Sequence, residues 1–206
     1  RPWYGMYMST AEVNLYLAEF KLLGASLPNT AASYFNKALQ TSVEEYDRLA
    51  SLNKIPYYGT TYNYDPNEKA IDLKGGEIAA MMANADYQLT GNKSSDLEKV
   101  YLQELLHFTL FPCDQFVTVR RSGFPKEGSA LIKWENFGTV VPNNEIPRRF
   151  EVGAPSPTDL MYKILTDAYA AQGFTPGSNQ EGALLNSERV WQDKGAPQFG
   201  SGAGAN

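Results

Sequence analysis

The chain has 206 residues, 43% of them hydrophobic and 13% aromatic, and a formal net charge of −5. That is enough apolar matter for a packed core in one domain or two small ones, which excludes the disordered class. The acidic balance disfavours a nucleic-acid binder, and no apolar run approaches the roughly 18 residues that a membrane-spanning helix needs. The single cysteine, Cys113, excludes an internal disulfide and a cysteine-based metal site.

Residues 1–8 carry Trp3, Tyr4 and Tyr7 and read as a packed strand or linker, with a binding surface as the alternative. Arg1 is not an initiator, so the chain is expected to be a piece of a longer protein. Ser9 and Glu12 then form a capping-box pattern that opens a helix. Its apolar stripe is expected at Val13, Tyr16, Leu17, Phe20 and Leu23, with Gly24 closing it in the left-handed region. Pro28-Asn29-Thr30 restarts the chain, with Asn29 or Thr30 as the next N-cap. The second helix carries Ala31, Phe35, Ala38, Leu39, Val43, Tyr46 and Leu49. Small residues at 31 and 38 around Phe35 let two helices approach closely, which is the second-helix pattern of a tetratricopeptide unit. One such unit cannot bury its apolar face alone, so other parts of the chain must cover it.

The pattern breaks between Asn53 and Asp72, where Ile55-Pro56-Tyr57-Tyr58-Gly59 and Tyr62-Asn63-Tyr64-Asp65-Pro66 form an aromatic loop. Tyr57, Tyr58, Tyr62 and Tyr64, with Trp134 further on, are the candidate ligand-binding residues, because such rings stack on sugar faces or on a partner protein. The alternative is that they pin a long loop to the helix pair. A third helix is predicted over Glu77 to Leu89, with Ile78, Met81, Met82, Ala85 and Leu89 turned inward and the methionines as core filler. Ser95-Asp96-Leu97-Glu98 is a second capping box and starts a fourth helix through Val100, Tyr101, Leu105 and Phe108. Pro112 interrupts it, and a short helix resumes from Asp114 to Arg120 before Gly123 and Pro125 stop it. From Gly128 to Pro155 the chain is mostly non-helical, with a short hairpin expected between Leu131–Trp134 and Thr139–Val141. Ser156 and Pro157 open a late helix with a stripe of Leu160, Met161, Ile164, Leu165 and Ala168, ended by Gly173. The remainder reads as an irregular tail anchored by Val190-Trp191 and later by Phe199.

Signals for catalysis are poor. His107, the only histidine, lies between Leu106 and Phe108 on a helix and reads as structural. There is no nucleophile elbow, phosphate loop or calcium loop. Glu44 and Glu45 are adjacent on a helix, so they point in different directions and read as a solvated face. Cys113 has no activating neighbour in sequence and is expected to be buried or inert. No catalytic residue, metal or cofactor is expected. The pairs Arg120-Arg121 and Arg148-Arg149 admit two readings: fastening loops to helices through carbonyls and carboxylates, or binding an anionic ligand.

Arg120-Arg121-Ser122-Gly123-Phe124-Pro125 resembles the RR-[ST]-G-[YF]-P element of the SusD-like lipoproteins, named after the D component of the starch-utilisation system. Ile146-Pro147-Arg148-Arg149-Phe150 resembles that family's downstream P-x-R-aromatic segment, and Arg189-Val190-Trp191-Gln192-Asp193-Lys194 its R-V-W-W-D-K ending. The opening Ala11 to Glu19 looks like the family's AE-V-x-F-L helix. Gln192 stands where the family often has a second tryptophan, and Asp159 where it often has glutamate. The four matches occur in the family's order. The resemblance implies the C-terminal portion, residues 1–206, of a single mainly α domain: tetratricopeptide-like helix pairs with long irregular loops, part of a SusD-like α-α superhelix. The helical scaffold would cover about 9–121 and 156–173, with loop-rich stretches at 122–155 and 174–206.

The resemblance further implies a non-catalytic, cell-surface binding subunit for a glycan or peptide. Its partner would be a SusC-like TonB-dependent β-barrel transporter of the outer membrane, and its membrane attachment an N-terminal lipid anchor not present in this chain. The alternative is a tetratricopeptide-type interaction scaffold without a small ligand, and a third reading is a helical enzyme whose site lies partly elsewhere.

Overall fold

The computed structural model describes residues 5–53, 76–125, 129, 131, 148–180 and 182–195. The chain is mainly helical, with no strand among the described residues. It divides into two compact units, Arg1–Phe116 and Val117–Asn206. The hairpin expected between Leu131 and Val141 lies, but for Leu131, outside the described residues, and Phe199 lies wholly outside them.

In the first unit, α1 spans Thr10–Leu22 and α2 spans Ala31–Leu52. Ser9 Oγ accepts the Glu12 N–H at 2.8 Å, so Ser9 is the predicted cap. Thr30 takes the same part for α2, accepting the Ser33 N–H at 3.1 Å. Gly24 follows α1 with φ +105°, a conformation that side chains avoid, and there the chain turns back. The Thr10 N–H at the start of α1 donates to Glu45 Oε1 late in α2 at 2.9 Å, so the two helices run antiparallel. Further on, α3 spans Glu77–Ala83, a 3-10 turn covers Ala85–Tyr87, α4 spans Lys93–His107, and α5 spans Pro112–Ser122 across the unit boundary. The Tyr101 hydroxyl on α4 donates to Glu19 Oε1 on α1 at 2.7 Å, while His107 meets Ser9. Thus α4 returns antiparallel along α1.

The core gathers Leu15 and Ala18 of α1, Tyr34, Phe35, Ala38 and Leu39 of α2, and Val100 of α4. Full burial of a Phe or Leu side chain contributes roughly 1.5–3 kcal/mol, so these residues hold the layer together. The α1 face differs from the expected one. Ala11, Leu15 and Ala18 are buried, whereas Val13, Phe20 and Leu23 are exposed and Tyr16 and Leu17 are half-buried. Two apolar stripes run along α1. Packing between α2 and α4 selects the one with alanines, because a helix covered on two sides must let both neighbours come close.

Other expectations also shift. The helix predicted to run from Glu77 to Leu89 breaks at Asn84, which has extended ψ +139° and accepts the Asp86 N–H on its own side chain at 3.0 Å. The fourth helix begins before its predicted Ser95 cap. Asn92 is the cap, accepting the Ser95 N–H at 3.1 Å. Buried Asp96 then receives the Thr90 N–H at 2.7 Å and the Gly91 N–H at 2.9 Å, tying the preceding turn to α4. Pro112 starts α5 at its first helical position, where its missing N–H costs nothing. Tyr7 is fully exposed and is not part of a packed strand.

In the second unit, α6 spans Tyr162–Gln172, α7 spans Gly182–Ser187, and a 3-10 turn covers Trp191–Asp193. The late helix therefore starts six residues after Ser156. The Ser156 hydroxyl accepts the Thr158 N–H at 3.4 Å, and Asp159 Oδ1 accepts the Met161 N–H at 2.8 Å. Such local bonds compete with helix formation. The expected stripe is not a buried face: Leu160, Met161 and Ile164 are exposed, and Leu165 and Ala168 are half-buried. Gly173 closes α6 in the left-handed region, and the Phe174 N–H reaches back to the Tyr169 carbonyl at 2.9 Å. The tail is less irregular than expected, since α7 and the 3-10 turn lie in it. Trp191 is 80% exposed and is not the anchor; among the described residues there, Leu185, Asn186 and Asp193 are buried.

Candidate functional site

The five residues singled out for ligand stacking, Tyr57, Tyr58, Tyr62, Tyr64 and Trp134, all lie outside the described residues. The structure instead brings together two polar clusters, one in each unit.

The second unit collects three stretches of sequence around one carboxylate. Asp193, held in its 3-10 turn, faces Arg148 in a two-pronged pair: Nε to Oδ2 at 2.6 Å and Nη2 to Oδ1 at 2.6 Å. Arg120, in the last turn of α5, reaches the same Oδ1 through Nη2 at 3.0 Å. Arg148 Nη2 also donates to the Arg120 carbonyl at 3.3 Å, taking up a helix C-terminal acceptor. From two residues beyond the end of α7, Arg189 donates to the Asp193 carbonyl at 3.2 Å. Burial pushes the Asp193 carboxyl upward, but hydrogen bonds from Arg148 and Arg120 outweigh it and hold the group below the usual carboxylate range.

Arg149 turns the other way. Its Nε donates to the Glu188 carbonyl at 2.9 Å, its Nη2 pairs with the Glu188 carboxylate, and its guanidinium lies 4.7 Å from the Phe174 ring centroid. Glu188 also receives the Thr175 N–H at 2.8 Å. The slight burial of Glu188 would raise its carboxyl, but its bonds to Thr175 and Arg149 bring it down. Upstream, Ser122 Oγ donates to the Thr118 carbonyl at 2.7 Å and accepts the Phe124 N–H at 3.1 Å, which seats buried Phe124 just past α5.

Of the two readings of the arginine pairs, the fastening one describes Arg120, Arg148 and Arg149. Arg148 is 2% exposed, and its two-pronged face is filled by Asp193. Sequence reasoning did not assign a role to either receiving carboxylate. Asp193 stood inside a quoted motif, while Glu188 carried no signal at all.

In the first unit, His107 at the end of α4 is buried between two hydroxyls. Its Nε2 lies 2.7 Å from Ser9 Oγ and its Nδ1 lies 2.9 Å from Ser42 Oγ. The Tyr46 hydroxyl donates to the His107 carbonyl, and the two rings meet edge to face at 5.8 Å between centroids. Burial, countered in part by Glu45, pushes the imidazole below its ordinary value, so it is neutral at pH 7. Beside it lies a cavity of about 40 Å³ lined by residues 6–8 and by Ser9, Glu12, His107, Phe108, Phe111 and Asp114. The structural role expected for His107 describes this geometry; its serine partners left no trace in the sequence.

Cys113 is exposed in the first turn of α5, so of the two expectations, buried or inert, the first is corrected. Among the described residues, no group of three or more His, Cys, Asp or Glu side chains is placed to hold a metal, and no helix is long and apolar enough to cross a membrane. No protein-family model, curated protein or solved structure matches the chain.

Proposed function

We propose that the chain is the C-terminal portion of a SusD-like protein: a non-catalytic surface subunit that binds a glycan or peptide and passes it to a TonB-dependent β-barrel transporter. One observation supports this reading above the others. The residues that carry the sequence resemblance are far apart in the chain, yet Arg120, Arg148 and Asp193 meet in one buried ion-pair cluster. Motif residues whose shared task is to fasten loops to a helical frame suit a binding scaffold better than a reactive centre. The antiparallel pair α1–α2, with α4 returning along α1, is the kind of packing from which a tetratricopeptide-like superhelix is built. Ligand contact then falls to the aromatic loop with Tyr57, Tyr58, Tyr62 and Tyr64 and to Trp134, whose rings would stack on sugar faces.

Co-purification from native outer membranes is the deciding experiment. The full-length protein should bring down a β-barrel transporter and bind a glycan or peptide by calorimetry, with affinity reduced at least about tenfold by Tyr57→Ala or Trp134→Ala. A transporter without any small ligand would favour the second reading, a tetratricopeptide-type interaction scaffold, to which the close alanine-lined contact of α1 and α2 is equally suited. Turnover of the ligand by purified protein would overturn both.

A further inference from the structure

We propose that His107 is a pH-sensitive fastener: while neutral it ties the start of α1 and the middle of α2 to the end of α4, and taking up a proton loosens the start of α1. Three helices converge on this one ring. Ser9, which contacts Nε2, is the residue that caps α1, and Ser42, which contacts Nδ1, belongs to α2. Tyr46 binds the backbone carbonyl of the same histidine.

A neutral imidazole has one donor and one acceptor nitrogen, so one serine donates to it and the other accepts from it. A protonated ring has two donors. The serine that was donating must then turn its hydrogen away and find another acceptor. With Nε2 as the acceptor nitrogen, Ser9 is that serine; its Oγ also accepts the Glu12 N–H, so its turning reaches the first turn of α1 directly.

The cavity beside Ser9 and His107 gives a proton a short way in, and it is lined also by residues 6–8, of which Tyr7 and Met8 are exposed. The charged and titratable groups around the ring are Glu12 on α1, Glu45 and Tyr46 on α2, Glu104 one turn earlier on α4, and Asp114 on α5. Tyr46 is pushed up by burial and remains neutral. Glu45 favours the imidazolium, but burial outweighs that attraction. A base pushed down on folding binds its proton more readily when unfolded. The stability that the neutral ring contributes is therefore complete above about pH 6.5, the unfolded value, and declines as pH falls toward the folded value, where the native ring itself takes up the proton.

Because the chain has one histidine, its ring signals in an NMR titration belong to His107 without further assignment. The 206-residue chain should show that ring titrating below the ordinary histidine value. Protection of the Glu12 and Val13 amides, which bond Ser9 Oγ and Ser9 O, should fall several-fold at the ring's own midpoint after correction for intrinsic exchange. His107→Gln, which never carries a charge, should flatten that dependence. A ring that titrates at or above the ordinary value, amides indifferent to its titration, or an unchanged pH response in His107→Gln would each overturn the proposal. If the variant does not fold, the two wild-type measurements decide alone.

Discussion

Arg148 and Asp193 show what a single buried ion pair demands of its neighbours. The carboxylate is shared by Arg148 and Arg120, and Arg148 has almost no access to water. Removing one partner of a buried pair leaves the other uncompensated, which costs about 3–5 kcal/mol. Asp193→Asn should therefore destabilise the second unit by about that amount, read as a lower denaturation midpoint at unchanged slope. Lys163 and Asp167 make the contrast. Their 2.8 Å pair is exposed on α6, and replacing Asp167 with Asn should leave the midpoint where it is. At Ser9, alanine removes both the α1 cap and a partner of His107. A loss of about 1–2 kcal/mol is expected by urea unfolding, more than the cap alone usually contributes.

At the scale of the element, α1 and α6 show where reading by periodicity succeeds and where it stops. The caps Ser9 and Thr30 and the turns at Gly24 and Gly173 were legible, because each is set by chemistry within a few residues; of the face expected for α2, Phe35, Ala38, Leu39 and Leu49 are buried, whereas Ala31, Val43 and Tyr46 are only half-buried. The face of α1 was not. Its sequence offers two apolar stripes, and only contact with α2 and α4 chooses between them. The start of α6 was missed because Ser156 and Asp159 bond their own backbone, an outcome that looks in sequence like a helix cap. The convergence of Arg120, Arg148 and Asp193 was legible only as three separate motifs, since Asp193 lies 45 positions from Arg148 and 73 from Arg120.

These faces can be tested separately. Ala18→Leu places a large side chain in the closely packed face of α1 and should cost about 1–3 kcal/mol in equilibrium unfolding. Ile164→Lys, on the exposed side of α6, should change stability by less than about 0.5 kcal/mol.

Across the whole molecule, the two units are held by different forces. The first has a contiguous apolar core, and the described part of the second relies on arginine–carboxylate pairs. Asp193 and Glu188 are both held below their ordinary values, so their contribution is present above about pH 4 and is lost as pH falls through the folded values. Amide exchange followed downward from pH 5 should show protection around Arg149 and residues 185–193 declining once the pH drops below about 4. Asp193→Asn should remove much of that dependence.

Cys113 stands exposed at the head of α5, and the chain has no second thiol. A maleimide dye or nitroxide added to the native protein would therefore attach at one known place, with no engineered substitution. In an oxidising medium the same thiol is where two molecules would become covalently joined, and tethered pairs held through that position are what non-reducing electrophoresis should reveal.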